Sequence, residues 1–224
     1  MRVLLVLSGC GYLDGSEIHE SVLAMAALDR ARASVTIAAP RRELTVIDHS
    51  TGAPSGEHRN VFAEAARIAR GKLVDLATCD AADFDALVMP GGYGAAKHLC
   101  DFESQGAKAR VEPALGALLL AMHRAKKPIG AICISPAIVA AVMRDQKIRA
   151  RLTLGNDPTM AKILGDMGQE SVDCAVDECV VDADQRIVST PAYMYDARIA
   201  DVAVGIERMV AALASMLRPQ RVSS

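Results

Sequence analysis

Tryptophan is absent from this chain of 224 residues, and aromatic residues make up only 3% of it although 51% is hydrophobic. A core of that size must be filled by Ala, Val, Leu, Ile and Met, which suits helices packed closely on a parallel sheet. The same scarcity removes the aromatic platforms on which single-stranded nucleic acid stacks. Basic residues cluster only in short groups such as Arg41-Arg42 and Lys126-Lys127, and the net charge is −2. Nucleic acid is therefore not an expected partner. No apolar run approaches the length of a membrane span, so no membrane is expected either. The six cysteines contain no CxxC pair and no His/Cys cluster at zinc spacing. No metal site is expected, and the thiols read as reduced groups of a cytoplasmic protein. The opening run Val3 to Leu7 is too short for the apolar region of a signal peptide and ends in Ser8-Gly9-Cys10-Gly11. It reads as a first core strand.

What is present is alternation. Apolar strand-like runs alternate with amphipathic helical stretches, the pattern of a parallel α/β sheet in one domain over residues 1–224, with 218–224 as a frayed tail. Strands are expected at Arg2 to Ser8, Ser34 to Ala39, Phe84 to Met89, Pro128 to Ile132, Arg151 to Leu154, Val172 to Val181 and Arg186 to Ser189. The last two would form a hairpin turning at Asp182-Ala183-Asp184. Helices are expected at Glu17 to Arg32, from the cap Asn60 to Arg70, at Val111 to Arg124, from the cap Asp157 through Met167, and from about Asp196 to Leu217. Turn-rich residues 44–60 form a hairpin or excursion.

The segment Gly130-Ala131-Ile132-Cys133-Ile134-Ser135-Pro136 is the most informative in the chain. It joins a strand to a helix with cysteine at the corner. A nucleophile elbow needs small residues two before and two after the reactive one, and Ala131 and Ser135 meet that need. Unpaired N–H groups at the helix start are expected to favour the Cys133 thiolate. Cys10, Cys79, Cys100, Cys174 and Cys179 lack such a context and read as structural thiols.

In an open parallel sheet, ligands bind beyond the carboxyl ends of the strands. Ser8 to Glu20, Pro90 to Lys97 and Cys133 should meet there. Gly91 and Gly92 can bring their N–H groups close to a bound oxygen. With the N–H of Ile134 they would form an oxyanion hole. A thiol mechanism also needs a proton carrier, and the start of the first helix offers Glu17, His19 and Glu20. Glu17 and Glu20 share a face, whereas His19 is expected to point elsewhere as a surface residue. A carboxyl buried against Cys133 would have its pKa raised. His123, late in a helix, is expected to face solvent or a carbonyl.

Together these residues resemble the ThiJ/PfpI branch of the class I glutamine amidotransferase-like superfamily, and more closely the ElbB-type proteins of bacteria with their mitochondrial ES1-like relatives. The resemblance is carried by Ser8-Gly9-Cys10-Gly11, Asp14-Gly15-Ser16-Glu17-Ile18-His19-Glu20 and Arg59-Asn60-Val61. It continues in Pro90 to Lys97, Cys133-Ile134-Ser135-Pro136-Ala137 and Thr190-Pro191-Ala192-Tyr193-Met194. It implies a flavodoxin-like three-layer α/β/α sandwich, a homodimer, and Glu20 as the carboxyl that hydrogen-bonds the elbow thiol. It also implies cofactor-independent glyoxalase activity, converting glyoxal to glycolate, and an association by name with isoprenoid biosynthesis. The chain departs from the wider superfamily in having Ile134 directly after the cysteine and no histidine downstream of Cys133. An amidotransferase Cys-His-acid triad is thus not expected.

The expected function is that of a glyoxalase-type enzyme without metal, glutathione or other cofactor. Cys133 would form a hemithioacetal with a small aldehyde or other electrophile, and Glu20 would carry the proton. The alternative is a redox-responsive or partner-binding protein with an oxidisable Cys133. NADPH binding has weak support: Asp14 occupies the third glycine position of the fingerprint, and only Arg41-Arg42 could meet a 2′-phosphate.

Overall fold

The computed structural model describes residues 1–217. The expected frayed tail, 218–224, lies outside the described residues. Eleven strands follow in chain order: β1 Arg2–Val6, β2 Ser34–Ala39, β3 Glu43–Asp48, β4 Ala53–Asn60, β5 Val74–Asp75, β6 Ala86–Met89, β7 Ile129–Ile132, β8 Arg151–Leu152, β9 Glu170–Ser171, β10 Val180–Asp182 and β11 Ile187–Thr190. The α-helices are α1 Ile18–Arg30, α2 Val61–Ile68, α3 Phe102–Gln105, α4 Pro113–Arg124, α5 Pro136–Asp145, α6 Pro158–Asp166 and α7 Ile199–Leu217.

Seven strands form the central sheet in the order β10-β11-β7-β6-β1-β2-β5. Every pair is parallel except the edge pair β10–β11. The side chains explain why both faces are covered. Along β1, Val3 and Leu5 enter one core while Leu4 and Val6 enter the other. In β6, Ala86 and Val88 alternate with Leu87 and Met89 in the same way. Successive strand residues point to opposite faces, so an unbroken apolar run needs a helical layer on each side. Core residues of α1, α2 and α7 cover one face, and those of α4 and α5 cover the other. The result is a flavodoxin-like three-layer α/β/α sandwich.

Caps set several helix starts. Asn60 Oδ1 accepts from the N–H groups of Phe62 and Ala63, and Asp157 Oδ1 from those of Thr159 and Met160 with Pro158 opening the helix. The helix expected from Val111 starts at Pro113, because Glu112 supplies its carboxylate to Leu115 N–H as the cap. Residues 43–60 form the antiparallel hairpin β3–β4, irregular between Thr45 and Ile47. Asp14 Oδ2 accepts from Ile47 N–H at 2.8 Å, fixing this hairpin to the loop after β1.

Two expected strands are corrected. Residues Val172 to Val181 are extended in the ladder only at Val180 and Val181, within β10. Side chains take up the carbonyls before them: Tyr195 Oη donates to Cys174 O, and Thr190 Oγ1 to Glu178 O. The Arg151 strand ends at Leu152 and pairs with β9 in a separate two-stranded ladder. The short edge strand β5, the π-helical turn Ala95–Leu99 and α3 were not expected from the sequence pattern. No helix among the described residues is long and apolar enough to cross a membrane.

Candidate active site

The corner after β7 is a strained one. Cys133 has φ = 60°, in the left-handed region that a non-glycine residue enters only when its surroundings hold it there. Its N–H donates to Thr190 O at 2.9 Å, and Ser135 N–H donates to Ile132 O at 3.0 Å. Ser135 Oγ, fully buried, donates to Pro90 O at 2.7 Å and ties the corner to the Gly-Gly turn after β6. Small residues are needed for a physical reason. A Cβ on Gly91 would lie 2.6 Å from Cys133 Cβ, 3.0 Å from its Sγ and 3.1 Å from Glu20 Oε2.

Glu20, in the first turn of α1, has no exposed surface. Its Oε2 accepts from Gly91 N–H at 2.7 Å and its Oε1 from Tyr193 N–H at 3.4 Å. The carboxyl faces the Cys133 thiol closely enough to couple their protons. Burial pushes the carboxyl up to about 7, outweighing the Gly91 hydrogen bond, and the charge of Glu17 adds to the rise. Burial also pushes the Cys133 thiol up, with the Glu20 charge next, against the opposing N–H groups of Gly92 and Ile134. The expectation that the helix start alone would favour a thiolate is thereby corrected: desolvation beside an acid dominates. Two anions cannot share this enclosure, so the pair keeps at least one proton across neutral pH.

The expected site residues fall into distinct positions. Cys133 and Glu20 meet. Glu17 caps α1, its Oε2 accepting from Glu20 N–H at 2.6 Å, and lines the adjoining cavity. Gly92 and Ile134 turn their N–H groups to the sulfur. The Gly91 N–H does not; it is spent on Glu20. His19 is exposed, as expected of a surface residue, yet it also lines the cavity, with Nδ1 2.9 Å from Tyr193 Oη. His123 is buried and meets a carbonyl rather than solvent, its Nε2 lying 2.9 Å from the amide oxygen Gln185 Oε1. The remaining cysteines are raised by burial and have no acid-and-amide setting comparable to that of Cys133, Cys100 reaching about 12.

Sequence reasoning missed Tyr193 as a functional residue. Its segment follows β11, and Ala192 has φ = 44°, which turns the Tyr193 N–H onto Glu20. The Pro191-Ala192 pair after a strand end was the available signal. The cavity beside Cys133 measures about 750 Å³ and reaches Phe102, Met160 and Ile163 on α3 and α6, which no local motif announces. Arg41 and Arg42 are engaged elsewhere, with Asp75 and with His98 O, so neither stands free for a 2′-phosphate. Among the described residues, no group of three or more His, Cys, Asp or Glu is placed to hold a metal.

Comparison with known proteins adds kinship to this geometry. The DJ-1/PfpI family model matches residues 2–193. The human glutamine amidotransferase-like class 1 domain-containing protein 3, mitochondrial, is 41% identical over 220 residues, covering 93% of this chain and 81% of that protein. The zebrafish (Danio rerio) ES1 protein, mitochondrial, is 30% identical over 209 residues, covering 87% and 77%. A crystal structure of an isoprenoid biosynthesis protein with amidotransferase-like domain from Ehrlichia chaffeensis superposes with a TM-score of 0.92. It is 37% identical and covers 97% of this chain and 100% of its own.

Proposed function

The chain belongs to the DJ-1/PfpI family, and from that premise we propose that it is a cysteine-dependent, glutathione-independent glyoxalase-type lyase converting glyoxal to glycolate. The observation that carries this proposal is the buried, proton-coupled pair of Cys133 and Glu20 at a strained corner, opening on a cavity. The Cys133 sulfur adds to one aldehyde carbon, and the pair's proton goes to the new hydroxyl. Glu20, left as carboxylate, takes the hydrogen of that carbon and returns it to the second carbon through an enediol. The hydroxyl proton passes between the two oxygens, leaving a glycolyl thioester. Water cleaves the thioester: one proton returns to the sulfur, and glycolate leaves as the anion with release of the other. No external oxidant or reductant enters this balance. The N–H groups of Gly92 and Ile134 serve the developing oxyanion.

Amide hydrolysis has less support. The amidotransferase wording in the relatives' names belongs to those proteins, and this chain has no histidine beyond Cys133. Thiol oxidation as the main role is also weakly supported, since Cys133 is 7% exposed and its thiol is pushed up, whereas oxidation follows exposed thiolates. The six free thiols suit a reducing, cytoplasmic setting. In a direct glyoxal-to-glycolate assay, Cys133→Ala should fall to background. Glu20→Gln should lose about 100-fold or more in kcat, the range for removing a positioned acid–base group. Turnover by Cys133→Ala at the parent rate would defeat the proposal.

A further inference from the structure

Away from the Cys133 corner, two further thiols share a setting that a single cysteine lacks. Cys174 and Cys179 lie in the loop between β9 and β10 and line one open cavity of about 370 Å³. The loop reverses at a β-turn, where Glu178 N–H donates to Ala175 O at 3.0 Å. Such a turn holds the Cα atoms of its first and last residues within about 7 Å. Cys174 and Cys179 are the next residues out on either side. A disulfide needs a Cα separation of roughly 4.4–6.8 Å, the scale that a turn sets. Burial pushes the Cys174 thiol up to about 11, and the charge of Cys179 adds to the rise, so the two sulfurs lie within electrostatic reach. Cys174 is buried, whereas Cys179 is partly exposed. The loop also hangs on the segment that completes the Cys133 site. Tyr195 Oη donates to Cys174 O at 2.7 Å, and Thr190 Oγ1 to Glu178 O at 2.8 Å. That same segment accepts from Cys133 N–H at Thr190 O and gives Tyr193 N–H to Glu20.

We propose that Cys174 and Cys179 form a dithiol–disulfide pair that is oxidised by small-molecule disulfides, and that its closure clasps residues 190–195. Nothing in this pairing depends on the reaction assigned to Cys133. With glutathione disulfide as the oxidant, Cys179 loses its proton and its sulfur attacks one sulfur of the reagent. One glutathione leaves as thiolate and takes up that proton. Cys174 then loses its proton and attacks the Cys179 sulfur, expelling the second glutathione, which is protonated in turn. Two protein thiols are oxidised, one small disulfide is reduced to two thiols, and no other reactant enters. The cross-link removes freedom from the turn to which Tyr195 and Thr190 are bonded, so their segment opens less often. In a reducing setting the pair stays open, closing only as the thiol poise turns oxidising.

The purified protein is equilibrated over a series of reduced-to-oxidised glutathione ratios, acid-quenched, alkylated and mapped by mass spectrometry. A peptide linking Cys174 to Cys179 should accumulate at the oxidising end, with a loss of about 2 Da for the two hydrogens. Cys174→Ser should stop at a glutathione adduct on Cys179. Cys179→Ser should leave the buried Cys174 unmodified; two serine variants guard against one failing to fold. Amide hydrogen exchange in residues 190–195 should slow on oxidation of the parent protein by on the order of 10-fold, as closing a short loop allows. In either variant it should not change. Absence of the Cys174–Cys179 link at the most oxidising ratio, or linkage of either residue to another cysteine, overturns the pairing. A link that leaves exchange at 190–195 unaltered overturns the clasp.

Discussion

Glu20 sits where two demands on one carboxyl conflict. Its hydrogen bonds from Gly91 and Tyr193 favour the anion, while complete burial favours the acid, and burial dominates, giving a pKa of about 7. In the unfolded chain the same group titrates near about 4.3. Between those values the folded state binds the extra proton. Its stabilising contribution is therefore fully present below the unfolded value and is lost as pH rises through about 7. The loss is on the order of 3 kcal/mol. Cys133, also raised, extends the decline only into the alkaline range. Urea unfolding between about pH 5 and about pH 8 should show this fall in the parent protein, and Glu20→Gln should be nearly flat over that window. A parent profile as flat as the variant's would show that burial does not hold the proton on Glu20.

Helices in this fold carry glycines for opposite reasons, so one substitution should have two signs. Gly205 lies inside α7, where an added Cβ would sit 2.4 Å from Val176 O and 2.7 Å from Thr190 Oγ1. That close approach brings α7 against the carbonyls of Val176 and Glu178. Gly205→Ala should destabilise by roughly 1–3 kcal/mol, the range for overpacking. Gly165 lies on the exposed side of α6, where an added Cβ would meet nothing within 4 Å. Gly165→Ala should stabilise by roughly 0.5–1 kcal/mol through helix propensity. Melting temperatures of the two variants should move in opposite directions; a shared direction would mean that packing around Gly205 relaxes freely.

At the scale of the molecule, strand order brings the site together. β1, β6, β7 and β11 end on one edge of the sheet, and the segments after them supply Glu20, Gly91 and Gly92, Cys133 and Tyr193. The hairpin β3–β4 packs on the loop after β1, and none of its described residues lines the cavity. Exposed apolar groups are present on α1, where Ile18 and Val22 lie one turn apart, and on the cavity lining, where Tyr93 N–H donates to Tyr12 O at 2.7 Å. Apolar residues grouped in this way mark interaction surfaces. We expect the homodimer implied by the family resemblance to use them. Light scattering should give about twice the 23.7 kDa chain mass, and Val22→Glu should shift it toward one chain. A monomeric parent protein would remove this expectation.

Local chemistry in the sequence sufficed for the parallel sheet, most helix starts and the cysteine corner, because unbroken apolar runs, caps and small flanking residues are short-range signals. Strand Val172 to Val181 failed for the opposite reason: its apolar pattern is local, but the groups that capture its carbonyls come from Tyr195 and Thr190. The pairing of Glu20 with Cys133 could be carried over from resemblance, yet its proton affinity depends on burial that only packing creates. Gly91 was expected to serve an oxyanion, and the fold gives its N–H to Glu20 instead. The cavity's apolar lining from Phe102, Met160 and Ile163 was legible nowhere in the chain, since α3 and α6 reach it from separate stretches of sequence. Residue types determined which chemistry was available; long-range contacts decided which atoms face each other, and how dry that meeting place is.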